Sequence, residues 1–284
     1  MSFEVDVRVC FTPKTIPALS GFALGRKAPA FYNGLAYLLR RNRLHRPAHI
    51  VGRQMKAIRR TLLLVGAALL ALSPAAVATA APIANVGGGS GIVIDGRALC
   101  TMTTVGNDRA GRLVGLTAGH CGNLGSAVSL ERNARAGVIG RIVTKSKNWD
   151  VAVVRLDTSR VRGVRNVGKA HIGGVGTYPQ PFANVCKSGR TTGFSCGPTL
   201  AIEGASTINY VCSARGDSGG PIISRGRVVG MLNGSLRLAG PGTSVECIDP
   251  AFPVYTPMVA TKMTDIVRVL NATPTAIGSG FRTL

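Results

Sequence analysis

The sequence predicts an all-β protein, a sandwich or a pair of barrels, over most of its length. Past residue 81, short runs rich in Val, Ile and Thr recur at Gly91 to Asp95, Leu113 to Thr117, Gly137 to Thr144, Val151 to Leu156, Ile222 to Ile223 and Val228 to Leu232. Turns bearing glycine separate them, and the helical stretches that βαβ units need between strands are missing. Hydrophobic residues, at 45 %, suffice for a core, while charged residues, at 16 %, are too few for a disordered chain. With 37 glycines but no strict glycine period the chain is not collagen-like. With one stretch of near-spanning length it is not a multi-pass membrane protein.

In chain order, residues 1–54 show neither strand alternation nor a sustained helical stripe. They read as an N-terminal extension outside the native product, with translation starting at Met55. His45 and His49 stand four apart but have no third ligand nearby, so no metal site is assigned. Residues 55–80 read as a signal peptide: Lys56, Arg59 and Arg60, an apolar run from Thr61 to Leu72, then Ser73-Pro74 and the small-residue site Ala78-Thr79-Ala80. An uncleaved anchor is the alternative, and Pro74 with the small-residue ending argues for cleavage. Residues 81–284 then form one domain, which meets a membrane only through an uncleaved signal segment.

The net charge of +22 raises nucleic-acid binding and does not sustain it. Residues 1–80 carry +10 and residues 81–284 carry +12, and in the latter Arg97, Arg109, Arg132, Arg141 and Arg155 are scattered singly. Without aromatic interleaving or a basic helix, this is a solvated basic surface. One helix is expected, from Met258 to Leu270, where Met258, Val259, Met263, Ile266, Val267 and Leu270 keep helical spacing and Asn271 supplies a stop. Of seven cysteines, Cys10 precedes the cleavage site, and six remain. An exported chain keeps such cysteines as disulfides, in any of fifteen pairings; no C-x-x-C suggests zinc.

Gly216-Asp217-Ser218-Gly219-Gly220-Pro221 places a serine in a glycine-dense turn, where the amides of Gly216 and Ser218 can serve as an oxyanion hole. A serine hydroxyl needs a base to become a nucleophile. Residues 81–284 hold two histidines: His120, at the end of an apolar strand beside Cys121, and His171, in a Gly-rich polar stretch. His120 is the base. Asp150 heads the apolar run Val151 to Val154, where a carboxylate is half buried and can hold the imidazole tautomer. The order His120, Asp150, Ser218 excludes the esterase elbow, which puts its histidine after the serine. The subtilisin order would need Asp95 or Asp108, both in polar turn-like settings.

These three blocks, with Lys187-Ser188-Gly189-Arg190-Thr191-Thr192-Gly193 between Cys186 and Cys196, resemble the chymotrypsin-like serine proteases. Within them they resemble the secreted bacterial branch of streptogrisins and α-lytic protease, over about residues 83–272. The resemblance implies two perpendicular six-stranded antiparallel β-barrels with a C-terminal helix. It also implies the pairs Cys100–Cys121, Cys186–Cys196 and Cys212–Cys247, bacterial-type export, and a serine endopeptidase acting on protein or peptide substrate as a monomer, without cofactor or metal. Departures from the family pattern are visible. Asn233 stands at the position of a serine that bonds the aspartate, and an amide can donate there too. A pocket formed by Tyr210, Val211, Asn233, Gly234 and Ser235 offers no carboxylate, so Lys and Arg side chains are disfavoured. The alternative function is a catalytically silent binding protein on the same fold, against which the three intact blocks weigh.

Overall fold

The computed structural model describes residues 83–236 and 244–284. The extension 1–54, the signal segment 55–80 and the pair His45 and His49 lie outside the described residues. Strand β1 (Ala84–Val86) pairs in parallel with β9 (Val161–Gly163). An eight-stranded sheet collects β2 (Gly91–Ile94), β3 (Ala98–Thr101), β4 (Thr104–Asn107), β5 (Leu113–Ala118), β6 (Ala127–Leu130), β7 (Val138–Ser146), β8 (Val151–Leu156) and β18 (Arg282–Thr283). Its order is β18-β4-β5-β8-β7-β6-β2-β3. A short hairpin of β10 (Asn166–Val167) and β11 (Ala170–His171) leads to the second half. There β12 (Asn184–Gly189), β13 (Gly193–Glu203), β14 (Ser206–Asn209), β15 (Pro221–Ser224), β16 (Arg227–Ser235) and β17 (Met258–Lys262) close a barrel in the order β12-β13-β14-β17-β16-β15. Helix α1 (Met263–Asn271) follows.

The architecture is mostly β, as expected, and every predicted run becomes a strand. Alternation sets the faces: Ile92 and Ile94 of β2 are buried and their neighbours are not. β8 is central and covered on both faces, so Val151, Ala152, Val153 and Val154 are all buried. A buried side chain of this kind contributes about 1.5–3 kcal/mol when it leaves water. The barrel has its own core of Val185, Val211, Ile222, Val229, Leu232 and Met258.

The second half is the closed barrel, and the first half curls into a half-barrel whose outer strands among the described residues are β3 and β18. From the end of β3 to β4 the backbone ties this half to itself and to the Ser218 turn: Thr101 N–H donates to the Ser218 carbonyl (2.8 Å), Met102 N–H to the Ser90 carbonyl and Thr103 N–H to the Leu116 carbonyl on β5. One expectation needs correction: the helix starts later than Met258. Residues Met258–Lys262 alternate buried and partly buried and pair on both sides, with β14 and β16, completing the barrel. Only from Met263 does one apolar face, Met263, Ile266 and Leu270, meet the core.

The C-terminal segment is tied back by Asp108, whose buried carboxylate accepts from the N–H groups of Gly278 and Arg112 and from the Arg112 guanidinium. Burial alone would raise its pKa, and these donors together hold it below the usual carboxylate range. Among the described residues no helix is long and apolar enough to cross a membrane.

Candidate active site

Register brings His120 to Asp150. β5 and β8 are antiparallel with Ala118 opposite Val151, so the turn after β5 meets the residue before β8. Gly119 N–H donates to the Asp150 carbonyl (2.7 Å). His120 N–H donates to Asp150 Oδ1 (2.7 Å), and His120 Nδ1 lies 2.8 Å from Oδ2. An ionised carboxylate only accepts, so Nδ1 carries the proton and Nε2 is left with its lone pair. Glycine is required at position 119, where a Cβ would sit 2.9 Å from the Val151 nitrogen. Asp150 itself has φ +45°, a left-handed backbone that Asp tolerates better than most residues. Cys121, bonded to Cys100 on β3, fixes the turn from behind. Cys100, His120 and Cys121 offer ligand atoms within 4.8 Å of one another. The disulfide leaves no thiolate there for a metal.

The Ser218 turn is pressed against the strands that carry His120. Thr101 Oγ1 donates to the Gly216 carbonyl (2.9 Å), Thr103 Oγ1 to the Gly219 carbonyl (2.6 Å), and Thr117 Oγ1 to the Thr101 carbonyl (2.8 Å). A Cβ on Gly219, at φ +83°, would fall 2.3 Å from both Thr101 O and Thr117 Oγ1. Gly216 has φ +97°. Among the described residues, the N–H groups of Gly216 and Ser218 and the Ser218 hydroxyl have no intramolecular hydrogen-bond partner. Ser218 Oγ is not hydrogen-bonded to His120 here, a contact that in such sites often tightens only with substrate. A polar hollow of about 190 Å³ opens beside His120, lined also by Asp95, Arg97, Asn123 and Ser126.

Beneath the turn, Asp217 is fully buried and pairs with the fully buried Lys187, whose Nζ stands 2.9 Å from Oδ2. Asp217 also accepts from the N–H groups of Thr191 (2.8 Å), Thr192 (3.2 Å) and Ala214 (3.2 Å) and from Thr192 Oγ1 (2.5 Å). Burial pushes the Lys187 ammonium below its ordinary range, and Asp217 pulls it part of the way back. In the sequence Lys187 stands within the motif Lys187 to Gly193 with no role of its own assigned. The available signal was a lysine set between core positions of an alternating strand, since Val185, Lys187 and Gly189 share a buried parity on β12.

The pocket candidates separate. Asn233 turns to the His120–Asp150 pair, donating to Asp150 Oδ2 at 2.8 Å. Val211 is buried in the barrel core. Tyr210 stacks on Tyr255 with centroids 4.7 Å apart, and its hydroxyl donates to the Pro253 carbonyl. Gly234 faces open space, where an added Cβ meets nothing within 4 Å, and Ser235 ends β16. Glu246, beside Cys247, pairs with the exposed Arg215. Among the described residues the disulfides are Cys100–Cys121, Cys186–Cys196 and Cys212–Cys247, the pairing that the family resemblance implies.

No family model matches the chain. Streptogrisin-C of Streptomyces griseus is 26 % identical over 190 residues, which are 61 % of this chain and 40 % of that protein. The chain thus spans about two fifths of the length of the curated relative it matches. Among solved structures, Nocardiopsis protease (NAPase) is 25 % identical, with 66 % of this chain and 96 % of that one covered at a TM-score of 0.51. Cellulomonas bogoriensis chymotrypsin is 24 % identical, with 70 % and 98 % covered at 0.52, a likeness of fold.

Proposed function

We propose that this chain, a relative of the bacterial streptogrisin and Nocardiopsis branch of chymotrypsin-like serine proteases, is a secreted serine endopeptidase working by acyl transfer. The observation that carries the reading is the 2.8 Å contact of His120 Nδ1 with Asp150, beside a glycine turn that presents Ser218. Ser218 Oγ attacks the scissile carbonyl while His120 Nε2 takes its proton and later returns it to the leaving amine. Asp150 keeps the tautomer and stabilises the imidazolium. The N–H groups of Gly216 and Ser218, without a partner among the described residues, receive the oxyanion.

A fluorescent peptidyl phosphonate is expected to label the protein at Ser218 and nowhere else. Failure to label a folded preparation would favour the silent binding protein.

For the side chain before the cleaved bond, small or medium apolar residues are expected over Lys, Arg, Glu or Asp. Tyr210 and Val211 supply no carboxylate, and the Glu246 carboxylate is engaged by Arg215. An unpaired buried charge costs several kcal/mol, more than a misfit methylene, which changes rates about 10–200-fold. Cleavage profiling on a mixed peptide library checks this, and predominant cleavage after Lys or Arg would refute it.

A further inference from the structure

β16 carries an irregularity between Leu232 and Gly234: Leu232 pairs with Ala260 and Gly234 with Val259, leaving Asn233 without an opposite residue on β17. A bulge of this kind re-aims one side chain. Here the amide goes to Asp150, where Nδ2 reaches both carboxylate Oδ2 (2.8 Å) and the backbone carbonyl (3.4 Å). An amide has a donor end and an acceptor end, and the carboxylate accepts only, so one of its two orientations is productive and the other sets Oδ1 against a negative charge. On the far side, Thr261 Oγ1 donates to Asn233 Oδ1 at 2.8 Å. Thr261 sits on β17 between its pairs with Met231 and Ser206, so its position is set on two sides by the barrel.

We propose that Thr261 is a positioning residue, fixing the Asn233 amide so that it clamps Asp150 in its left-handed backbone and keeps the carboxylate on His120 Nδ1. A serine needs no such partner, because its hydroxyl rotates to suit; the amide does. The inference rests on the protease reading above, and the test separates the two.

The full chain is expressed with Thr261→Val, Thr261→Ser, Asn233→Ala and the Asn233→Ala/Thr261→Val pair, and assayed on an apolar peptide substrate that the unaltered protein turns over. Thr261→Val is expected to lower kcat about five- to tenfold, the worth of one neutral hydrogen bond, with KM unchanged. Thr261→Ser restores kcat. Thr261→Val adds no further loss to Asn233→Ala, because the hydroxyl acts through the amide. Full kcat in a folded Thr261→Val protein, or losses that multiply in the pair, would overturn the proposal. If valine prevents folding, Thr261→Ala takes its place with the same two outcomes. No turnover in the unaltered folded protein would instead sink the protease reading itself.

Discussion

Alanine at Ser218, or at His120, is expected to lower peptide turnover by about 10⁵–10⁶-fold while leaving the fold intact. The two losses should not multiply, since in the proposed mechanism nucleophile and base act as one unit and removing either removes the same step. What survives is the contribution of binding and of the Gly216 and Ser218 amides. Structural cost is small at both positions. The Ser218 hydroxyl has no partner among the described residues, so its removal orphans nothing. His120 gives up its ring contact with Asp150, but the carboxylate still accepts from the residue 120 N–H and from Asn233. Steady-state kinetics on the two single variants and the double variant, with circular dichroism as the folding control, check this. If His171→Ala abolished turnover while His120→Ala spared it, the base would be misassigned; His171 is exposed and bonded to Asn166.

How much of this was legible in the sequence follows from which interactions are local. Strands with alternating or continuous apolar runs, such as Gly91–Ile94 and Val151–Leu156, were readable because their burial is written in neighbouring residues. So was the approach of His120 to Asp150, expected from residue type and chain order. Met258–Lys262 was misread because helical and alternating spacing coincide over five residues, and its two strand partners lie some 30 and 50 positions earlier. The tie from the end of β3 to the Ser218 turn depends on where the backbone of Thr101 to Thr103 finds its hydrogen bonds, which no local pattern records. Cysteine count left fifteen pairings, and family likeness rather than arithmetic selected among them. Asn233 was recognisable as a departure, while Thr261, which orients it, was not.

Lys187→Met is expected to destabilise the protein by about 3–5 kcal/mol, the cost of stranding one member of a fully buried ion pair. Methionine keeps most of the apolar stem of lysine, so the loss reports the ammonium, with its ion pair to Asp217 and its hydrogen bonds to the Gly193 carbonyl and the Thr192 hydroxyl. Asp217 would remain at 0 % exposure with the N–H groups of Thr191, Thr192 and Ala214 and the Thr192 hydroxyl, but without a cation. The pair itself contributes little over an apolar replacement, because desolvating both ions offsets most of their attraction. Its consequence is local. Asp217 lies between Gly216 and Ser218, and its carboxylate packs against Gly189, where an added Cβ would fall 2.3 Å from Oδ1. A stranded carboxylate that shifts carries the backbone of the turn with it, and so the Gly216 and Ser218 amides on either side. Adding Asp217→Asn to Lys187→Met should recover part of the stability by removing the stranded charge. It should not recover turnover, because an amide cannot accept all the N–H donors that the two carboxylate oxygens hold. Urea denaturation is best done in the Ser218→Ala background, where self-cleavage does not intrude. A Lys187→Met midpoint equal to that of the parent, or full turnover in an active Lys187→Met protein, would show that the buried cation does not support the turn.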